Sequence, residues 1–165
     1  MRQDVATYRK HLVGLENLAR TVSERAQPGN ETVARLAEYL VVRLSGFIEV
    51  SIRAILSDYV AHSVKKQEVA AFVEARLGKD YNLNEERIRQ IVGSFSPEWA
   101  QKTKESLSGP LKESIDSVVS VRNALAHGDQ VSVSLKTAID DYHYVLVAMQ
   151  NVATICNPTA QQWFT

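Results

Sequence analysis

The sequence predicts an all-α protein, a helical bundle of about five to seven helices. Apolar residues recur at steps of three and four along most of the 165 residues, as in helices with one buried face. Glycine, proline and N-capping residues interrupt these repeats, which marks where helices end and begin. Residues 129–133 (DQVSV) are expected to form a loop or a short extended piece.

Two long helices are predicted in the N-terminal half. The first carries an apolar stripe from Val5 to Val22 and ends before Pro28 and Gly29. Asn30 is a candidate N-cap that opens the longest helical pattern in the chain. The inward face of this second helix is predicted to hold Leu36, Leu40, Leu44, Phe47, Ser51, Ile55 and Tyr59.

The middle of the chain predicts shorter helices. One extends from about Lys66 to Leu77, with Gly78 as its stop. Another starts at Asn84, and a third has Pro97 at its first helical position. The inward side of the Lys66–Leu77 helix is predicted to hold Val69, Phe72, Val73 and Leu77.

Two further helices complete the pattern. An apolar stripe runs from Leu111 to Ala126, with Gly128 as its stop, and Ser134 caps a final long helix that ends at Asn157 and Pro158. The chain has no internal repeat, low-complexity tract or linker that suggests a second domain. Residues 1–165 are therefore predicted to form one helical domain.

The composition is that of an ordinary soluble globular protein, with 45% hydrophobic and 23% charged residues. Nineteen basic and nineteen acidic residues balance, so an RNA site would need a local basic patch, which two chains could form together. The single cysteine, Cys156, excludes an intrachain disulfide and fits a reducing cytoplasm. No apolar run approaches membrane-spanning length, and no signal region is apparent. A cytoplasmic protein without a membrane partner is expected.

The most informative segment is residues 122–128 (RNALAHG), at the end of a predicted helix. Arginine is a planar fork that suits phosphate oxygens, and histidine can move a proton near neutral pH. The helix dipole favours the imidazolium form of His127, which suits a general acid. The side chains of Arg122 and His127 diverge by about 140° unless the last turn unwinds, which Gly128 would favour. Asn123 could orient a phosphate or the imidazole ring.

Spacing alone leaves two interpretations of this segment. An arginine and a histidine on one helix are most often a surface cation and a partner of the helix dipole, and R-x4-H arises often by chance. The alternative is a site that cleaves a phosphodiester without a metal, because the segment has no carboxylate cluster to hold Mg²⁺.

The segment VRNALAHG resembles the R-N-x-x-x-H motif of the HEPN superfamily (higher eukaryotes and prokaryotes nucleotide-binding). Residues 40–56 (LVVRLSGFIEVSIRAIL) are similar to the first core helix of its RiboL-PSP-HEPN branch, and the order of elements agrees from about residue 30 to 155. The resemblance implies a metal-independent endoribonuclease, without a cofactor, that acts as a toxin or abortive-infection effector. Arg122 and His127 then match the catalytic pair, and Asn123 the polar residue after the arginine. Some HEPN domains are inactive, but here the motif is intact.

The mechanism implied by this resemblance is attack of the ribose 2′-OH on the adjacent phosphate. Arg122 would neutralise charge on the phosphate oxygens, and His127 would give a proton to the leaving 5′-oxygen. The reaction needs an acid and a base, whereas each chain supplies one motif histidine. The resemblance therefore implies a homodimer in which two motifs line one cleft, with an antitoxin or regulatory protein as a further partner.

Glu49 has two interpretations. It could pair with Arg53, four residues on, or face the cleft and orient Arg122, as acidic residues in this helix do in some HEPN proteins. Asp140 and His143 share the D-x-x-H spacing of metal ligands in bundles, but a di-metal site needs a second such motif, which the sequence lacks. No metal site is therefore predicted.

Two functional hypotheses follow from the sequence. The first is a dimeric RNA-cleaving enzyme with Arg122, Asn123 and His127 in its site. The alternative is a catalytically silent helical module that binds a partner protein or a nucleotide. Nucleotide hydrolysis and zinc binding are disfavoured, because the chain has no phosphate-binding glycine loop and no Cys/His array.

Overall fold

A computed structural model describes residues 3–79 and 81–157, and within these ranges the chain forms seven helices and no strand. The all-α prediction is confirmed, and the segment 129–134 between the last two helices has no regular structure. The helices are α1 (Gln3–Arg25), α2 (Glu31–Ser63), α3 (Gln67–Leu77), α4 (Glu85–Gly93), α5 (Pro97–Ser106), α6 (Pro110–His127) and α7 (Leu135–Cys156).

Three predicted helix starts are formed by side-chain caps. The Oδ1 atom of Asn30 accepts a hydrogen bond from the Val33 amide at 3.3 Å, and that of Asn84 accepts from the Arg87 amide at 2.9 Å. Ser134 Oγ accepts from the Thr137 amide at 3.0 Å. These bonds satisfy amides that have no partner in the first turn of a helix, which fixes where α2, α4 and α7 begin. Pro158, predicted to follow the end of α7, lies outside the described residues.

The hydrophobic core is centred on α2 and α7, which make the most extensive helix–helix contact, with α1 and α6 packed against α2. The predicted inward face of α2 is confirmed in its middle, where Leu40, Leu44 and Phe47 are fully buried. Leu36 and Tyr59, at the two ends of that face, are half-buried. None of the helices in the described ranges has the length and apolar character needed to cross a membrane.

Helix α6 runs antiparallel to α2. The loop before α4 contacts both helices, because Glu49 accepts a hydrogen bond from the Asn82 amide and Asp116 accepts one from the Glu85 amide. The other end of α6 lies beside the start of α2, where Leu125 and residues 128–131 share a cavity with residues 31–38. The RNALAH segment is therefore located at the N-terminal end of α2.

The prediction for the inward side of α3 is wrong at two positions. Val69 is 45% exposed and Phe72 is 71% exposed, whereas Leu77 is buried and Val73 is half-buried. Helix α3 packs mainly against α2, so it has a single neighbour along most of its length. A helical period shows that apolar residues share a face, but it does not show that another element covers that face.

Candidate functional site

Arg122 lies on the core-facing side of α6, four residues after Val118 and three after Val119, which are both buried. Its side chain is half-buried, and Nη1 donates a hydrogen bond to Asn123 Oδ1 at 3.2 Å. Among the described residues, no carboxylate forms an ion pair with it. A guanidinium carries five N–H donors, so Arg122 keeps most of its donors for an anion that enters from outside.

His127 is the last residue of α6 and is exposed. The helix ends in a Schellman motif, in which the Gly128 amide donates to Leu125 O at 3.1 Å and the Asp129 amide donates to Ala124 O at 3.0 Å. The suggested unwinding of the last turn is therefore wrong, since α6 stays helical through His127. On a regular helix the side chains of Arg122 and His127 point about 140° apart. One copy of α6 thus presents the two groups to different sides.

Gly128 is required by the backbone of this helix end, since its φ is +82°. A Cβ atom added at Gly128 would meet nothing within 4 Å, and neither would one added at Gly14 within α1, so the two sites differ in backbone conformation alone. We expect Gly128→Ala to lower the free energy of unfolding by about 1–2 kcal/mol, the cost of left-handed backbone for an alanine. Gly14→Ala should instead raise it by about 0.5–1 kcal/mol. Urea denaturation of both variants measures these changes in the free energy of unfolding, which should have opposite signs. Equal changes would contradict the conclusion that the left-handed backbone requires glycine at Gly128.

The last turns of α6 are only partly covered by the bundle. No residue from Val121 to His127 is fully buried, and residues 121–125 are half-buried. Val121 packs against the core, and Leu125 lies beside the start of α2. Ala126, which the sequence places on the inward stripe, is exposed because the core ends before it, and His127 is exposed beside it.

A cavity of about 620 Å³ lies between this helix end and the start of α2. Arg35 lines it and bonds two glutamates, Glu38 at 3.0 Å and Glu31 at 3.4 Å. Sequence reasoning missed these groups, although their spacing of three and four residues on α2 is the signal of a helical ion-pair network. The rest of the lining is Ala34, Leu125, Gly128, Asp129, Gln130 and Val131.

Glu49 makes a contact that neither sequence interpretation includes. Its Oε1 accepts a hydrogen bond from the Asn82 amide at 2.9 Å, which holds a loop residue whose φ is +54°. No ion pair with Arg53 forms within the described residues, and Arg53 Nε is buried without a hydrogen-bond partner. The antiparallel course of α6 puts Arg122 nearer to Glu38 than to Glu49 along α2. An orienting role of Glu49 toward Arg122 stays a prediction.

The contacts of Asp140, His143 and Cys156 do not form a second candidate site. Asp140 bonds Lys136 at 2.6 Å, and His143 Nε2 lies 3.8 Å from a Glu16 carboxylate oxygen, so the D-x-x-H pair does not converge. In residues 3–79 and 81–157, no three histidine, cysteine or acidic side chains are grouped as metal ligands. Burial raises the pKa of the Cys156 thiol to about 12, which keeps it protonated and unsuited to nucleophilic attack.

An all-α bundle that carries an R-N-x-x-x-H motif at the end of a late helix is the arrangement of the HEPN superfamily. The RiboL-PSP-HEPN family model matches residues 3–158, which include all seven helices. The chain belongs to the RiboL-PSP-HEPN family, and the resemblance seen in the sequence is confirmed. Comparison with curated proteins and with solved structures gives no match.

Proposed function

We propose that this protein is a metal-independent endoribonuclease of the toxin or abortive-infection type, acting as a homodimer of one-domain chains in the cytoplasm. Family membership supports a HEPN fold, a superfamily that includes ribonucleases. The observation that carries the proposal is the half-buried Arg122 guanidinium, without a carboxylate partner among the described residues, on a partly covered helix end that also bears the exposed His127. A cation in that position favours a phosphate group.

Each residue of the motif has a role in the proposed reaction. The oxygen of the ribose 2′-OH attacks the adjacent phosphorus while its proton passes to the second chain's His127, or to water where that histidine is missing. The bond to the 5′-oxygen then breaks to leave a cyclic phosphate. Arg122 stabilises the charge that develops on the phosphate oxygens. His127 transfers a proton to the leaving 5′-oxygen as a general acid. Asn123, through its hydrogen bond to Arg122, orients the guanidinium toward the phosphate. No cofactor takes part.

The geometry of α6 supports the proposal of a homodimer. Because Arg122 and His127 diverge by about 140° on one helix, a cleft that contains both groups is built more readily from two chains. A second copy would then complete the burial of the half-buried Val121 and Leu125 and would cover the exposed Ala126. Two copies of Arg122 and His127 would also form a basic patch that the balanced net charge does not provide.

The test is incubation of the purified protein with total RNA in excess EDTA. We expect RNA fragments whose 3′ ends carry 2′,3′-cyclic phosphate, because the nucleophile belongs to the substrate and no metal is needed. Sedimentation under the same conditions should show a dimer at micromolar concentration. Cleavage that requires Mg²⁺ would contradict the mechanism, and cleavage by a protein that sediments only as a monomer would contradict the shared cleft.

The second candidate function is a catalytically silent module that binds a partner protein or a nucleotide. The partly buried apolar residues at the end of α6 favour it, since a partner such as an antitoxin or another regulatory protein could complete their burial. The RNA assay separates the two functions. A dimer that binds RNA or a partner but gives no cleavage over a range of RNA substrates would establish the silent module.

A further inference from the structure

An apolar groove lies between α3 and α4, with a cavity volume of about 520 Å³. Phe72 forms one wall and is 71% exposed, which is unusual for a phenylalanine on a soluble protein. Ile91 and Phe95 contribute to the opposite side. The complete lining is Phe72, Val73, Arg76, Leu77, Arg87, Gln90, Ile91, Ser94 and Phe95.

Each wall of the groove is about two helical turns long. On α3, Val69, Phe72 and Arg76 follow at spacings of three and four residues, so they form one stripe about two turns long. The lining residues of α4 and the turn after it, from Arg87 to Ser94, likewise span about two turns. Val69 is 45% exposed and continues the apolar stripe beyond the cavity itself. The surface is therefore elongated along the helix axes.

The charged residues of the groove indicate the charge of the partner that it would bind. Among the described residues that line it, two are arginines, Arg76 and Arg87, and none is acidic. Arg87 Nη1 donates to Gln90 Oε1 at 3.3 Å, which holds its guanidinium beside the groove. Arg76 is exposed and forms no ion pair with any described residue. A partner with an apolar face and acidic side chains at its margin matches both the apolar residues of the groove and the arginines beside them.

We propose that this groove binds an amphipathic helix with acidic flanking residues, supplied by a partner protein. Helix-in-groove recognition uses apolar anchors at positions i, i+3, i+4 and i+7, which match two turns of wall on each side. A small ligand would not need the exposed stripe that extends to Val69. A second copy of this chain, placed symmetrically on the same groove, would bring its Arg76 toward Arg76 of the first copy.

The groove is separate from the proposed nuclease site. Helix α3 follows the C-terminal end of α2, whereas the end of α6 lies beside its first two turns. The 33 residues of α2 span about 50 Å, so a helix bound at α3 leaves Arg122 and His127 accessible. Binding here therefore does not depend on whether the protein cleaves RNA.

The groove contains its own spectroscopic reporter. Phe95, which lines it, is stacked with Trp99 at a centroid distance of 6.2 Å and an interplanar angle of 19°. Tyr59 contacts the same tryptophan edge-on at 4.8 Å. A helix seated on Phe95 should change the environment of Trp99, and Trp163→Phe leaves Trp99 as the single tryptophan.

The experiment is selection of a randomised peptide library on the full-length protein. We expect enriched peptides with apolar residues at helical spacing and a net negative charge, and a change in Trp99 fluorescence when they bind. Phe72→Ala should weaken binding about tenfold or more, because exposed aromatic anchors dominate such interfaces. Tyr144→Ala, which removes an exposed aromatic from α7, should leave binding unchanged. Circular dichroism checks that each variant is folded.

A charge reversal completes the test. Arg76→Glu should weaken the binding of the acidic peptides. In a fresh selection, this variant should enrich peptides that are neutral or basic. Selection of no helical peptide, or of peptides that tolerate both Phe72→Ala and Arg76→Glu, would overturn the proposal. So would a change of oligomeric state in Phe72→Ala, since that result would assign the groove to a second copy of the chain.

Discussion

Alanine at Arg122 or at His127 is expected to reduce RNA cleavage in EDTA by about 10²–10⁴-fold, the usual cost of losing a general acid or a positioned charge. In the proposed mechanism, Arg122 meets the phosphate with N–H donors that no described carboxylate occupies, so its removal would leave the developing charge unopposed. His127 is exposed at the end of α6, so its removal takes away the proton donor and little packing. Initial rates on one RNA oligonucleotide measure both effects.

Two control variants are matched to these residues by environment. Arg53, like Arg122, is a half-buried arginine on a long helix, and His62, like His127, is an exposed histidine in the last turn of a helix. Arg53→Ala and His62→Ala should therefore keep cleavage close to that of the unchanged protein. Arg122→Lys should give an intermediate rate, because an ammonium keeps the charge and loses the planar fork. Cleavage that survives in both Arg122→Ala and His127→Ala would refute the site assignment.

Local signals in the sequence predicted the helix boundaries well. Asn30 and Ser134 form the expected caps because capping depends on a side chain and an amide three residues away. The buried positions Leu44 and Phe47 follow from the period of α2, which is surrounded by other helices along most of its length. Caps depend only on nearby residues, and the helical period predicts burial in a helix that other helices surround. The sequence therefore predicts both features.

Features that depend on neighbouring elements were predicted less well. Phe72 and Val69 have the spacing of core residues, yet α3 lies at the margin of the bundle and leaves them exposed. The cavity that brings Arg35 and Glu38 to the end of α6 joins residues about ninety positions apart, because it depends on the antiparallel packing of α6 on α2. The pattern around Gly128 indicated a helix stop but not its geometry, and the Schellman bonds keep the last turn wound.

Because α6 stays regular to its end, a second large effect is expected when two inactive variants are mixed. Arg122→Ala and His127→Ala homodimers each lack one group throughout, so both should be inactive. A heterodimer of the two keeps one Arg122 and one His127, on opposite chains. If the cleft is shared, subunit exchange should restore part of the activity. The restored activity should lie well above the activity that remains in each parent after a loss of about 10²–10⁴-fold.

The control for this mixture is an obligate heterodimer of an unchanged chain with the Arg122→Ala/His127→Ala chain. Its surviving Arg122 and His127 lie on one copy of α6, where they point about 140° apart. A shared cleft therefore predicts near-zero activity, whereas two independent sites would give half of the full activity. Subunit exchange is followed by native mass spectrometry of differently tagged chains. A mixture that exchanges and stays inactive, combined with half activity in the obligate heterodimer, would show that each chain holds a complete site and that the divergence of the two side chains is overcome within one chain.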